Sequence, residues 1–466
     1  MGLHLPPPLA LFLTVAFMFF LFRRDVREQR NVTGALWLPV LSLVLMCSRP
    51  LTEWLNIFGL HVSGAASVEE GSPLDAFAYL ALAIAGFCVL SKRQLQLSEI
   101  VLNNGWLIAF FLYCFISIAW SDFPFIAFKR WTKIISDPIM ALIVLTEPDP
   151  EEAVKRLMKR CAYVVVPVSI LWIKYYPQLG RGFDEWGLAV NIGIAPGKNQ
   201  LGADCLMLGF FFFWHLLQTW QTERNTQRRN ELLLIAGFLI GILWLLRLAH
   251  SATSTISLFV AILIVVFVGI RSIKNFIGTY MLAALVLLAA AELAFGISGS
   301  LSESLGRGSD LTGRTGLWAH CLELQPNPIL GAGFESFWLG ERGKRMAEFY
   351  QSWHPGGAHN GYLETYLNLG LIGLSILIGL LIATFWKIRL ELFRNFGWGR
   401  YGLGFFAAVV LRGWTERTFG WGGPLWFVFY IIPLDYPRTH VATVQPSVGA
   451  ARSEVSRELA YGTGEL

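Results

Sequence analysis

Four short stretches hold most of the side chains able to do chemistry outside the apolar blocks. The richest reads His359-Asn360-Gly361-Tyr362-Leu363-Glu364, and it runs on through Thr365-Tyr366-Leu367-Asn368-Leu369-Gly370-Leu371-Ile372-Gly373-Leu374. On a helix starting here, Asn360 and Glu364 share a face, because residues four apart are helical neighbours. His359 then stands at the helix N-terminus, where unpaired N–H groups and the helix dipole favour an anion. A neutral imidazole in that place accepts a proton from a hydroxyl or donates to a phosphate oxygen. A plainer arrangement also fits, an interfacial histidine capping a helix that carries an interhelical glutamate.

The second stretch is Leu311-Thr312-Gly313-Arg314-Thr315-Gly316-Leu317-Trp318, followed by Asn327-Pro328-Ile329-Leu330-Gly331-Ala332-Gly333-Phe334-Glu335-Ser336-Phe337-Trp338. Arg314 offers a planar fork of donors suited to phosphate, or it is an ordinary surface arginine on a structured loop. The third joins Gly180-Arg181-Gly182-Phe183 to Ala195-Pro196-Gly197-Lys198-Asn199-Gln200-Leu201-Gly202. Lys198 at a helix entrance holds an anionic headgroup or simply snorkels to the interface. Gly193 to Lys198 echoes a phosphate-binding loop, but Asn199 replaces the magnesium-binding hydroxyl and no strand precedes it, so a nucleotide site is rejected. The fourth is Arg247-Leu248-Ala249-His250-Ser251-Ala252-Thr253-Ser254-Thr255, a turn so short that Arg247 needs a partner or a polar cavity. A last turn, Arg412-Gly413-Trp414-Thr415-Glu416-Arg417, offers Glu416 as a buried acid or an internal Glu–Arg pair. His215 reads as a helix-packing residue, and His320 and His354 as loop surface.

The elements that position these stretches are membrane helices. Of 466 residues, 55% are hydrophobic and 15% charged, and mean hydropathy is +0.52. Soluble domains carry about 25% charged residues. The apolar residues come in blocks of the length that crosses a bilayer. The composition therefore predicts an all-α, polytopic transmembrane bundle of about 12–13 spans with one long extracytoplasmic loop. It excludes disordered, collagenous and disulfide-scaffold classes. The six cysteines show neither metal nor disulfide spacing. Residues before Leu9 carry no Lys or Arg, so the first block is expected to stay as a membrane helix.

Charge gives the expected orientation. Six short segments, 23–30, 92–100, 147–160, 221–230, 271–275 and 387–400, hold 19 of the 37 Lys and Arg, whereas the much longer loop 297–358 holds five. Basic residues mark the cytoplasmic side. Connections 177–199, 247–253, 297–358 and 412–420 then face the other way together, which makes a composite site there possible. The net charge of +5 reflects this sorting, not a nucleic-acid partner. The expected organisation is N-terminal membrane helices (1–176), central helices with short outer loops (177–296), the long loop (297–358), C-terminal helices (359–434) and a disordered cytoplasmic tail (435–466).

Some signals do not occur. There is no Asp-x-Asp pair for a metal-bound nucleotide sugar, no His-Glu-x-x-His, no Gly-x-Ser-x-Gly and no Cys–His dyad. A donor reaching an outward site without nucleotides is most simply a lipid carrier with a diphosphate.

The chain resembles the O-antigen ligase and polysaccharide polymerase family of bacterial inner-membrane proteins, in its exopolysaccharide polymerase-like branch. The likeness rests on Thr312-Gly313-Arg314-Thr315 with Trp318, on Leu330-Gly331-Ala332-Gly333-Phe334 with Phe337-Trp338, and above all on His359 to Glu364. Pro196-Gly197-Lys198-Asn199 with Gly202, and Ser251 to Ser257, are weaker companions. The similarity covers about 180 to 375 plus Thr415-Glu416, and residues before 150 match only in hydropathy. The resemblance implies a glycosyltransferase at the periplasmic face of the inner membrane. Its donor is an undecaprenyl-diphosphate-linked oligosaccharide, and its acceptor is another lipid-linked glycan or lipid A core. It implies neither metal nor nucleotide nor other cofactor, with membrane lipids as surroundings and no nucleic acid. His359 matches the family's essential loop histidine, with Arg314 as its catalytic companion. Arg247, Arg181 and Lys198 are candidate diphosphate ligands, with Asn360, Glu364 and Glu416 in support. Leu248-Ala249-His250 departs from the usual Ser-rich turn beside Arg247. A polymerase is favoured over a ligase. From other classes, a secondary transporter or lipid-linked sugar flippase predicts charges near the midplane. A non-catalytic scaffold predicts that His359→Ala is silent.

Overall fold

The computed structural model describes residues 5–28, 31–60, 71–93, 95–183, 187–270, 274–276, 278, 314–349, 356–419 and 422–436. All of the expected span at 277–296 except Gly278, together with Thr312, Gly313, His354 and the tail beyond Tyr436, lies outside them. Proline opens many of the helices, because it lacks the N–H that a first turn leaves unpaired. It stands at or beside the first position of α1 (Pro7–Arg27), α4 (Pro73–Ser91), α7 (Pro124–Leu145) and α8 (Pro150–Tyr175). Ser72 caps α4 by accepting from the Asp75 N–H, and Asp149 caps α8 by accepting from Glu152 N–H. Between α1 and α4 lie α2 (Trp37–Cys47) and α3 (Leu51–Ile57). Before α7 come α5 (Leu97–Asn103) and α6 (Gly105–Ile116).

After the one-turn α9 (Pro177–Gly180), β1 (Arg181–Phe183) and β2 (Ala189–Asn191) form a small antiparallel hairpin with Arg181 opposite Asn191. Then follow α10 (Lys198–Trp220), α11 (Thr226–Ala249) and α12 (Ala252–Phe267). The loop region contributes α13 (Arg314–Glu323) and α14 (Gly340–Phe349). The chain closes with α15 (Gly361–Arg394), α16 (Phe396–Thr415) and α17 (Pro424–Ile431). Apart from that hairpin the described architecture is helical and polytopic, as the composition predicts.

Among the described residues, four helices, α4, α10, α11 and α15, are long and apolar enough to cross a membrane. The number rises to six if two bent pairs each count as one span, α2 with α3 at 76° and α5 with α6 at 90°. Twelve to thirteen apolar blocks were expected. Some of them fall on shorter helices, such as α17 with 8 residues and α12 with 16. The basic segments differ from expectation too, being largely helical rather than loops. Lys155, Arg156, Lys159 and Arg160 lie on the first half of α8. Their charges stay low in solvent exposure because they are paired: Arg156 and Arg160 with Asp25, Lys159 with Glu231. Arg24 and His215 meet the same Glu231, at 2.7 and 2.9 Å.

Burial sorts the helices by layer. The apolar window of α10 is 78% buried and that of α4 only 17%, so α10 is walled by protein while α4 presents its side chains outward. The core around α10 is aromatic. Phe210 stacks on Tyr401, Trp214 lies 4.8 Å from the same ring, and Trp426 stacks on Phe429.

One helix is broken where it should be most regular. Within α15, Gly370 has φ 65° and ψ −166°, a conformation open essentially to glycine. The backbone groups freed there are taken by the loop before the helix. Leu371 N–H donates to Pro328 O at 2.9 Å, Ile372 N–H to Ile329 O at 3.3 Å, and Ala332 N–H to Leu367 O at 3.0 Å. Tyr113 Oη adds a bond to Leu369 O at 3.2 Å. A side chain at Gly370 would collide with the Ile329 carbonyl, and one at Gly331 with Asn368 backbone. The two glycines let loop and helix touch backbone to backbone.

Candidate functional site

The start of α15 is built as the sequence suggests. Asn360 is its cap, Oδ1 accepting from the N–H of Tyr362 at 3.0 Å and of Leu363 at 3.1 Å. His359, just outside, adopts φ 49°, in the left-handed region that a non-glycine residue seldom enters. Its Nδ1 lies 3.5 Å from Glu416 Oε2. The glutamate is buried and the imidazole partly exposed, with 23% of its side chain accessible. Glu416 follows the C-terminus of α16, so two helix ends meet at this pair.

Glu364, one turn into α15, does not face the imidazole. It is buried and accepts from Trp338 Nε1 at 2.7 Å and from Ala358 N–H at 2.8 Å. Arg417 reaches it at 3.4 Å with the Nη2 that also pairs with Glu335. Glu335 is buried and has φ 54°. Arg130 donates to its backbone carbonyl. Burial pushes the Glu335 carboxyl above the ordinary glutamate range, and the Arg417 guanidinium pulls it partly back. Asn368 Oδ1 ties the same loop to α15 by accepting from the N–H of Ser336 at 2.9 Å and Phe337 at 3.1 Å.

The remaining expected residues gather less tightly. Arg314 opens α13; one turn on, Trp318 Nε1 donates to Ala358 O at 2.8 Å, which lays that helix beside the segment leading into His359. Lys198 is the first residue of α10, and Arg412 of α16 donates to the neighbouring Asn199 O at 3.1 Å. Thr253 and Thr415 hydroxyls meet at 3.0 Å, which places the turn after α11 against the end of α16. Arg247 is exposed in the last turn of α11. Arg181 is exposed on β1 and donates to Ile173 O at 3.3 Å. Among the described residues, neither bonds to His359. His320 stacks on Phe349 at 4.0 Å, and His215 packs against Phe211 beside Glu231.

Arg130 and Glu335 carry no signal of membership in the sequence, and the turn Arg412–Arg417 suggests an internal Glu–Arg pair, whereas Arg417 pairs with Glu335 and Glu364 from other segments. Glu335 lies inside a quoted motif and Arg417 directly follows Glu416, so both were in view without a signal of contact. Arg130 stands near the start of α7, in a connection that no motif marks.

A cavity of about 430 Å³ lies elsewhere, lined by Glu151, Lys155, Lys159, His215, Gln218 and Glu231 among others. It sits at the C-terminal end of α10, opposite the end that carries Asn199 and Arg412. Its acids are engaged with neighbouring cations: Glu151 with Lys155, and Glu231 with Arg24 and Lys159. The chemistry is better sought at His359, where a ring nitrogen meets a buried carboxylate and Arg417 ties the neighbouring backbone and acids together.

Residues 236–378 match the family model described as O-antigen ligase. The chain is 26% identical over 292 residues to the exopolysaccharide production protein ExoQ of Rhizobium meliloti (strain 1021). That alignment takes in 60% of this chain and 64% of the relative, so the chain spans less than two thirds of that protein's length. The matched stretch of the family model contains Arg247, Arg314, Glu335, His359 and Glu364, and ends before Glu416.

Proposed function

We propose that this chain, whose family match and likeness to ExoQ support an O-antigen ligase/polymerase-like family, joins glycans carried on undecaprenyl diphosphate. The observation that carries the reading is the pairing of His359 with Glu416 at the mouth of α15, with His359 inside the stretch that the family model matches and Glu416 beyond it. With Nδ1–H turned toward the carboxylate, Nε2 presents its lone pair to an acceptor hydroxyl. The hydroxyl oxygen forms the new bond to the anomeric carbon of the donor sugar as its proton passes to Nε2. The sugar–phosphate bond breaks on the opposite side, and the electron pair leaves with the lipid diphosphate. In-line attack inverts the anomeric carbon.

Charge on the departing diphosphate needs fixed cations in a low-dielectric place. Arg314 stands first for that role, with Lys198, Arg247 and Arg181 as further ligands. The chemistry then uses the protein's own cations. The site faces the periplasm of a bacterial inner membrane in this reading, since the basic ends of the helices sort to the cytoplasm. Polymerisation is favoured over ligation to lipid A core by the likeness to an exopolysaccharide production protein.

His359→Ala in a deletion strain tests the mechanism. Glycan product is expected to fall by about 10²-fold or more, the usual worth of a general base, with protein level and membrane insertion unchanged. Full synthesis by that variant sinks the mechanism. The accumulated intermediate separates the two activities: single repeats on the carrier mean a lost polymerase, and unattached long polymer a lost ligase.

A further inference from the structure

Arg417 holds together three segments that are distant in sequence. One guanidinium nitrogen pairs with Glu335 from the loop and lies 3.4 Å from Glu364 of α15. A second donates to Gly356 O at 3.1 Å. Glu364 in turn accepts the Ala358 N–H, so the backbone immediately before His359 hangs from the same cluster. On the other side, Arg417 is bonded through the chain to Glu416, whose carboxylate faces the His359 ring. Backbone and ring of the histidine are therefore both referenced to one arginine.

We propose that Arg417 is a positioning residue for the transfer reaction. By bridging Glu335 and Glu364 it fixes the distance between Glu416 and His359 and keeps His359 in its left-handed backbone conformation. The inference rests on the reading of His359 as the base. Two acids close together repel unless a cation stands between them, and a planar guanidinium can serve both at once. Glu335 also sits in a left-handed backbone conformation, so two strained residues flank the arginine. Local strain of that kind persists only where surrounding contacts over-determine it. A lysine keeps the charge but has no planar fork, so it should hold one acid better than two.

The test uses the full-length protein in nanodiscs with Arg417→Ala and Arg417→Lys. The probe substrate is the lipid-linked glycan that accumulates in a strain lacking the gene. Arg417→Ala is expected to lower kcat by about 100-fold, the scale of a misplacement near 1 Å, with KM within about twofold. Arg417→Lys recovers part of kcat. A second readout needs no substrate: site-resolved carbethoxylation of His359 by diethyl pyrocarbonate speeds up several-fold in Arg417→Ala and less in Arg417→Lys. Wild-type kcat in Arg417→Ala overturns the proposal. So does a loss of kcat with His359 reactivity unchanged. If Arg417→Ala fails to insert, Arg417→Lys is judged by the same two readouts, and wild-type values in both overturn it. Activity surviving in His359→Ala would instead bring down the mechanism, leaving the reactivity measurement to decide the role of Arg417 alone.

Discussion

At the residue scale, the site is a set of buried acids with different sets of neighbours, two of which share Arg417. Glu364 takes an indole N–H and a backbone N–H, Glu335 takes a guanidinium, and Glu416 takes the imidazole. The Glu416 carboxylate lies 3.5 Å from the His359 ring, so in the proposed mechanism it is the acid that orients the base. Glu416→Gln keeps the volume and one acceptor but removes the charge that stabilises an imidazolium. It is expected to lower kcat by about 10-fold to 100-fold with little change in KM, within the range a general base commands, as read from initial rates of glycan transfer. An equal loss in Glu364→Gln with none in Glu416→Gln would reverse the assignment. The identity of His359 and Glu364 as members was legible from spacing and from the family likeness. Their division of labour was not, because the i to i+4 rule placed Asn360 and Glu364 on one face without saying which way it turned. Arg417 was hidden for a different reason: a contact across 53 residues, from 364 to 417, leaves no local period to read.

At the element scale, the loop from Asn327 to Trp338 behaves as part of α15. It replaces the hydrogen bonds broken at Gly370, and Asn368 returns the favour by holding two of its N–H groups. Gly370→Ala places a Cβ against the Ile329 carbonyl in a backbone conformation that alanine avoids. The strain is of order 1–3 kcal/mol, and loosening of the loop adds to it. A lower midpoint of thermal unfolding and loss of product are expected, whereas an unshifted midpoint would show that the docking contributes nothing. The sequence pointed to a Gly-rich helix and to a Gly- and Pro-rich loop separately. Hydropathy is blind to their pairing, because a helix break costs no apolar residue.

At the scale of the whole molecule, the basic residues do two things. In the proposed topology they mark the cytoplasmic side, and they also build an ion-pair network across α1, α8, α10 and α11 around Asp25 and Glu231. The network lies at the far end of α10 from Asn199 and Arg412. Thiol labelling tests the orientation. With Cys88, the exposed native cysteine, changed to serine, a cysteine replacing Lys344 should react with an impermeant maleimide added to spheroplasts. One replacing Arg229 should react only after the membrane is opened, and the reverse pattern inverts the proposed topology. The helical class was legible from composition. The number of long apolar helices was not, since apolar blocks do not reveal which of them bend, shorten or carry paired charge into the bundle.

The break at Gly370 has a consequence for how the protein is made. Residues 361–369 form about two and a half turns, roughly 14 Å of helix at 1.5 Å per residue, above a gap whose hydrogen bonds belong to a segment synthesised earlier. During biogenesis that segment leaves the ribosome before α15, so it must wait, then fold back onto a helix arriving after it. Until then the broken turn has no partners in lipid, where an unsatisfied amide costs several kcal/mol. Insertion of α15 and folding of the loop before it are therefore a single event.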